Sequence, residues 1–176
     1  MNMATDGPAV PGRAIRNFKP STTMSDPVTR NFNSSLQKTY EWVEDVRQAM
    51  GNGSRQTAYT ALRGVLHALR DRLIPEEACD LAAQLPTILR GVFFEGWTPA
   101  HKPIKMSRDE FIARVWEEVR GVAETIDPEA CVAAVFEVLE RRIAAGEIAE
   151  IRGALPKQFQ QLWPEVPAEN HPVARA

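Results

Sequence analysis

The sequence predicts an all-α fold: a helical bundle of two similar three-helix units packed as one compact domain. Three observations predict it. Apolar residues recur at helical spacing over most of the chain, strand signals are missing, and one apolar pattern occurs twice. Leu62, Val65, Leu66, Leu69 and Leu73 find counterparts at Val132, Val135, Phe136, Leu139 and Ile143. The same ungapped shift carries Leu81, Leu85-Pro86, Leu89, Val92 and Phe93 onto Ile151, Leu155-Pro156, Phe159, Leu162 and Trp163. A duplication that keeps apolar positions while its surface drifts points to two related units sharing an interior.

Residues 1–30 hold Pro8, Pro11, Pro20 and Pro27 without apolar periodicity, which predicts a flexible tail. Met24 offers a second translation start there, and the intact mass of natively expressed protein distinguishes the two. Order is expected from near Phe32 in a domain spanning 31–165. Leu36, Tyr40, Val43, Arg47 and Met50 share one face of a first helix, widened by Trp42, Val46 and Ala49. Gly51-Asn52-Gly53 stops it, and Ser54 caps a second helix running to Leu73. Pro75 suits the first turn of a third helix, and Glu76 and Glu77 suit its positive end. Pro86 lacks an N–H and clashes with the turn before it, so the pattern breaks and restarts from Thr87 to Phe94.

The first unit therefore covers 31–97, followed by a linker over 98–106 and a second unit over 107–165. Ser107 and Glu110 form a capping box ahead of a stripe of Phe111, Ile112, Val115, Trp116, Val119, Val122 and Ala123. Asp127-Pro128-Glu129 opens a helix expected to end near Ala145, where Gly146 breaks it. Glu147 to Ala154 makes the next helix, cut at Pro156. Residues 166–176 read as a second tail.

Apolar and charged fractions of 44% and 25% are those of an ordinary globular chain with a real core. A net charge of -2 excludes a general nucleic-acid coat, which needs a large positive excess. The charge is uneven: residues 107–165 carry twelve acidic against seven basic side chains, whereas residues 54–97 balance. Cys79 and Cys131 make no disulfide framework and read as small buried hydrophobes. No apolar run approaches the roughly 18 residues that span a bilayer, and no signal-peptide core follows the N-terminal cations, so a cytoplasmic location is the default expectation.

Several runs carry a family resemblance. These are Leu36-Gln37-Lys38-Thr39-Tyr40-Glu41-Trp42, the stretch Ala58 to Leu73, Gln84-Leu85-Pro86, Leu89-Arg90-Gly91, Phe94-Glu95-Gly96-Trp97, Ala154-Leu155-Pro156 and Leu162-Trp163-Pro164. Over about residues 30–165 the chain resembles the domain of unknown function 2267 family. The resemblance implies a bacterial, stress-associated protein and supplies no activity, cofactor or catalytic residue.

No constellation declares a chemistry. His67 has no second histidine at helical spacing, and His101 and His171 lie apart from it. Glu76-Glu77 and Glu117-Glu118 are sequence neighbours that point about 100° apart on a helix. No histidine follows a glutamate by three positions, so neither a metal nor a cofactor is expected. Cys79 lies early in its helix, but Glu76, Glu77 and Asp80 oppose thiolate formation there.

Phe93, Phe94 and Trp97, followed by His101 and Lys102, form the candidate partner or ligand surface at the connection between units. The leading expectation is a non-enzymatic interaction or scaffold module, with a protein partner or self-association and no membrane insertion. The alternative is a small-molecule or lipid-binding protein with a pocket between the units, lined by Trp42, Phe94, Trp116 or Phe136. An enzyme would need charges distant in sequence to converge.

Overall fold

The protein is described by a computed structural model covering residues 26–122 and 126–164. The Met24 start, the 166–176 tail, His171 and Ala123 lie outside the described residues. Among those described the fold is all-helical, without a strand. The helices are α1 (Pro27–Ala49), α2 (Arg55–Arg72), α3 (Pro75–Gln84), α4 (Thr87–Phe93), α5 (Arg108–Val119), α6 (Pro128–Arg142), α7 (Ala145–Ala154) and α8 (Lys157–Gln160).

Local capping chemistry sets most boundaries. Ser54 Oγ accepts from the Thr57 amide at 3.0 Å, and Asp127 Oδ1 from the Glu129 amide at 3.0 Å. At α5 the Ser107 hydroxyl accepts from Glu110 N, and Glu110 Oε2 accepts from Ser107 N at 2.7 Å. The break at Pro86 is stabilised by Arg90, which reaches back to the Ala82 and Ala83 carbonyls at 2.9 and 3.0 Å. It satisfies carbonyls that the end of α3 leaves without helical partners.

Two boundaries differ from the sequence reading. α1 begins at Pro27, ahead of Phe32, because Asp26 caps it through the Thr29 amide at 2.9 Å and Pro27 fits its first turn. α6 ends at Arg142 rather than near Ala145, and Gly146 lies inside α7 instead of breaking a helix. Gly146 sits in the first turn, where backbone N–H groups have no intrahelical partner, so its usual interior penalty is reduced.

α2 runs through the centre, packed against α1, α4, α5 and α6, while α3 meets α7. Its fully buried Leu62, Val65, Leu66 and Leu69 stand beside Val132, Val135, Phe136 and Leu139 of α6 in one core. Phe111 meets Phe159 edge-on at 5.3 Å, and Phe136 stacks on Trp163 at 4.2 Å. Residues 61–73 and 131–143 show the same succession of buried and half-buried positions, residue for residue. α3 and α7 begin at 75 and 145 and end at 84 and 154. Arg142 ties α6 to α1 through Asp45 at 2.6 Å and lies over the Trp42 ring.

Candidate functional site

The richest meeting of charged and aromatic groups is the junction of α2, α4, the 98–106 linker and α5. α2 supplies Arg63, His67, Arg70 and Asp71 from successive turns of one face. Gly64 allows the close approach of α5: a Cβ there would stand 3.0 Å from Glu118 Cβ. Gly64, His67, Arg70 and Asp71 of α2, with Arg114, Glu117 and Glu118 of α5, line a cleft of about 270 Å³.

Asp71 is the hub. Its carboxylate lies 2.8 Å from Lys102 Nζ and 3.2 Å from Arg114, with Arg70 Nε at 3.6 Å. The Lys102 contact is an ion pair without hydrogen-bond alignment, since Asp71 Oδ1 has no hydrogen-bond partner. The Asp71 carbonyl accepts from the Ile104 amide at 2.7 Å. Main chain and side chain of one residue thus pin both ends of Lys102–Ile104 onto α2.

Arg70 and Arg63 close the far side. Arg70 donates to the Phe93 carbonyl and, at 3.0 Å, to that of Glu95, satisfying groups at the end of α4. Arg63 bridges Glu95, at 3.0 Å, and Glu118. Burial opposes its charge, but the pairing with Glu95 and Glu118 prevails and raises the Arg63 pKa; Arg63 in turn lowers that of Glu95. His67 Nε2 lies 2.8 Å from the Val92 carbonyl, which can only accept, so Nε2 carries the proton. Burial lowers the His67 pKa, against that hydrogen bond, and Arg70 and Arg63 push the same way as burial. The ring is therefore neutral at pH 7 and serves as a donor that fastens α2 to α4.

The residues singled out from sequence fall on both sides of the surface. Phe93 is fully buried, so it supports the patch from beneath and is corrected from surface to core; Leu89 and Phe93 share one face. Phe94 and Trp97 are half-buried, with ring centroids 5.2 Å apart. The Trp97 indole N–H is buried without a partner. His101 is exposed and holds a left-handed backbone conformation, φ 62°. Lys102 keeps only 9% of its side chain exposed and is a bracing residue rather than an open cation. Asp71 and Arg114 were missed. They lie 31 and 12 positions from Lys102, and no sequence spacing announces that pairing.

Cys79 is exposed, correcting the buried reading: α3 buries Ala78, Leu81 and Ala82, and position 79 faces outward. Cys131 is buried, and that burial pushes its thiol up to about 11, with Asp127 adding to it. Among the described residues no group of three or more His, Cys, Asp or Glu side chains is placed to hold a metal ion. No helix among them is long and apolar enough to cross a membrane.

Fold and junction thus define an all-helical domain whose prominent charges are largely engaged with one another. Residues 39–162 match the family described as "Uncharacterized conserved protein (DUF2267)", and the chain belongs to that family. No curated protein matches it closely enough to carry over an activity.

Proposed function

We infer that the protein is a non-enzymatic interaction module, built from two related helical units, whose docking surface is the junction face around Phe94, Trp97 and His101. The observation that carries this reading is the bracing of the linker by Asp71. A non-glycine residue at positive φ costs about 1 kcal/mol or more and persists only where its surroundings fix it. Lys102 and Ile104, both held on Asp71, do this next to His101. The linker is a pre-ordered platform, and pre-ordering lowers the entropic cost of docking a partner. Recurrence of one burial pattern at 61–73 and 131–143 supports the duplicated architecture. The reading takes the protein as bacterial and stress-associated, as the family resemblance implies, and as cytoplasmic, the default expectation from its sequence.

The test is affinity capture from the native host with the parent, Trp97→Ala and His101→Asp proteins, each checked for folding by circular dichroism. A partner retained by the parent and lost from the folded variants is the expected result. Equal capture by all three proteins rejects the junction as the docking face.

A second reading, small-molecule or lipid binding, has one observation in its favour. Ile112, Trp116 and Ile126 line an open, largely apolar cleft of about 440 Å³ between α5 and the start of α6. That cleft lies within the second unit rather than between units, and Phe136 is fully buried elsewhere in the core. Native mass spectrometry of the purified protein separates the readings: a co-purifying small molecule favours the second.

A further inference from the structure

The body of the protein covers α1 only from Thr39 onward. Thr39, Trp42, Val43 and Val46 are buried, whereas Val28, Phe32, Leu36 and Tyr40 are 58%, 71%, 44% and 55% exposed. These four residues recur every fourth position and so form one ridge along the first half of the helix. The family match begins at residue 39, so the first twelve residues of α1 form an arm outside the matched region.

That arm is a poor helix by itself. It contains Thr29, Asn31, Asn33, Ser34 and Ser35, residues of low helix propensity, and it is too short to be stable in water without tertiary contacts. A helix that displays apolar side chains and lacks intrinsic stability needs a covering surface.

Charge and shape select the cover. The arm holds Arg30 and Lys38 and, past its Asp26 cap, no acidic residue; Glu41, Glu44 and Asp45 follow on the next turns. Those carboxylates, with Gln37, Tyr40, Arg55 and Arg142, line an open groove of about 460 Å³ that continues from the ridge through Tyr40. Two of the three are held by cations of the same chain: Glu44 by Arg47, whose hydrogen bond lowers its pKa to about 2, and Asp45 by Arg142. Glu41 is the looser one, 3.8 Å from Arg142 and 45% exposed. α1 is therefore basic at its start and acidic about two to three turns beyond the ridge's midpoint, a pattern complementary to its own reverse.

We propose that the arm of α1 is a self-association surface, pairing antiparallel with the same arm of a second copy of this chain. Leu36 lies near the two-fold axis, Phe32 packs on the partner's Tyr40, and Arg30 approaches the partner's acidic turn at Glu41–Asp45. A register centred two residues earlier would bring Arg30 against the partner's Lys38, and like charges reject it. The interface is small. An aromatic side chain offers about 150–250 Å², so Phe32 and Tyr40 at their exposures, with Val28 and Leu36, fall short of the ~800 Å² per partner of a standard stable complex. The dimer is accordingly reversible and dependent on concentration.

Sedimentation velocity of the full chain, from micromolar to near-millimolar, tests this. The expected result is a monomer–dimer equilibrium whose dissociation constant rises at least about tenfold in Phe32→Asp, as loss of a central aromatic anchor does. Circular dichroism confirms that the variant's body stays folded, and Leu36→Asp provides a second disruption. Orientation is read in a Cys79→Ser background, where Leu36→Cys cross-links two copies on oxidation and Val28→Cys does not. A chain that stays monomeric throughout overturns the proposal, whichever segment, residues 1–25 included, then covers the ridge. So does a dimer unaffected by both aspartates, or one that cross-links equally through positions 28 and 36. Junction variants at Trp97 and His101 leave this equilibrium unchanged, so its failure and that of the junction reading are separable.

Discussion

Replacing Asp71 by alanine removes the anion on which Lys102, Arg114 and Arg70 converge. Breaking a fully buried ion pair by deleting one partner costs about 3–5 kcal/mol, because the other charge stays desolvated. Here Lys102 and Arg70 side chains are 9% and 7% exposed, whereas Arg114 is 46% exposed and recovers hydration freely. Lys102 can also swing outward with its linker, so the expected loss is about 2–3 kcal/mol. In a chain of this size each kcal/mol shifts the melting temperature by roughly 2–4 °C, giving a drop of about 5–10 °C.

Urea denaturation should show a lower midpoint at unchanged slope, since no buried surface is lost from the rest of the fold. Lys102→Met, which leaves Asp71 with two cations, should cost about 1 kcal/mol, and the double variant less than the sum of the singles. Amide exchange at Ile104 should accelerate in Asp71→Ala, since its bond to the Asp71 carbonyl depends on the seated linker. Stability within about 0.5 kcal/mol of the parent, with Ile104 still protected, would refute the view that Asp71 braces the junction.

Two glycines on helices should respond oppositely. Gly153→Ala meets nothing within 4 Å and should stabilise α7 by about 0.5–1 kcal/mol, whereas Gly64→Val drives into Glu118 and should destabilise by about 1–3 kcal/mol; thermal melts compare them. Under native conditions at mildly alkaline pH, a thiol reagent should label Cys79 and spare Cys131 until the protein unfolds, which mass spectrometry of the alkylated protein resolves. His67 has a folded pKa below its unfolded value near 6.5, so the unfolded state takes up the proton first. Its contribution is complete above about pH 6.5 and is lost as the pH falls through the folded value. Melting temperatures from pH 8 to pH 5 should fall less steeply in His67→Gln than in the parent.

The caps at Ser54, Ser107 and Asp127 and the breaks at Pro86 and Pro156 could be read from sequence, because each acts through residues within one helical turn. The start of α1 was legible too: Asp26-Pro27 is the same pair as Asp127-Pro128, masked by the prolines before it. Gly146 misled because a glycine breaks an interior turn but not a first one. At the junction, Phe94, Trp97 and His101 lie where the order of elements placed them. Phe93 could have been withdrawn from the surface on its spacing from Leu89.

By itself the sequence determined an all-helical chain, the family it belongs to, and the periodic apolar stripes along its helices, since helical periodicity and capping are short-range properties. Only the tertiary structure decided what its charges do. Asp71 is 31 residues from Lys102 and 43 from Arg114, and no local rule ties such positions until packing of α5 on α2 brings them within 3.2 Å. The same holds for exposure. Phe32 and Phe93 are alike in sequence, yet one is 71% exposed and the other sealed, because burial depends on where the rest of the fold ends.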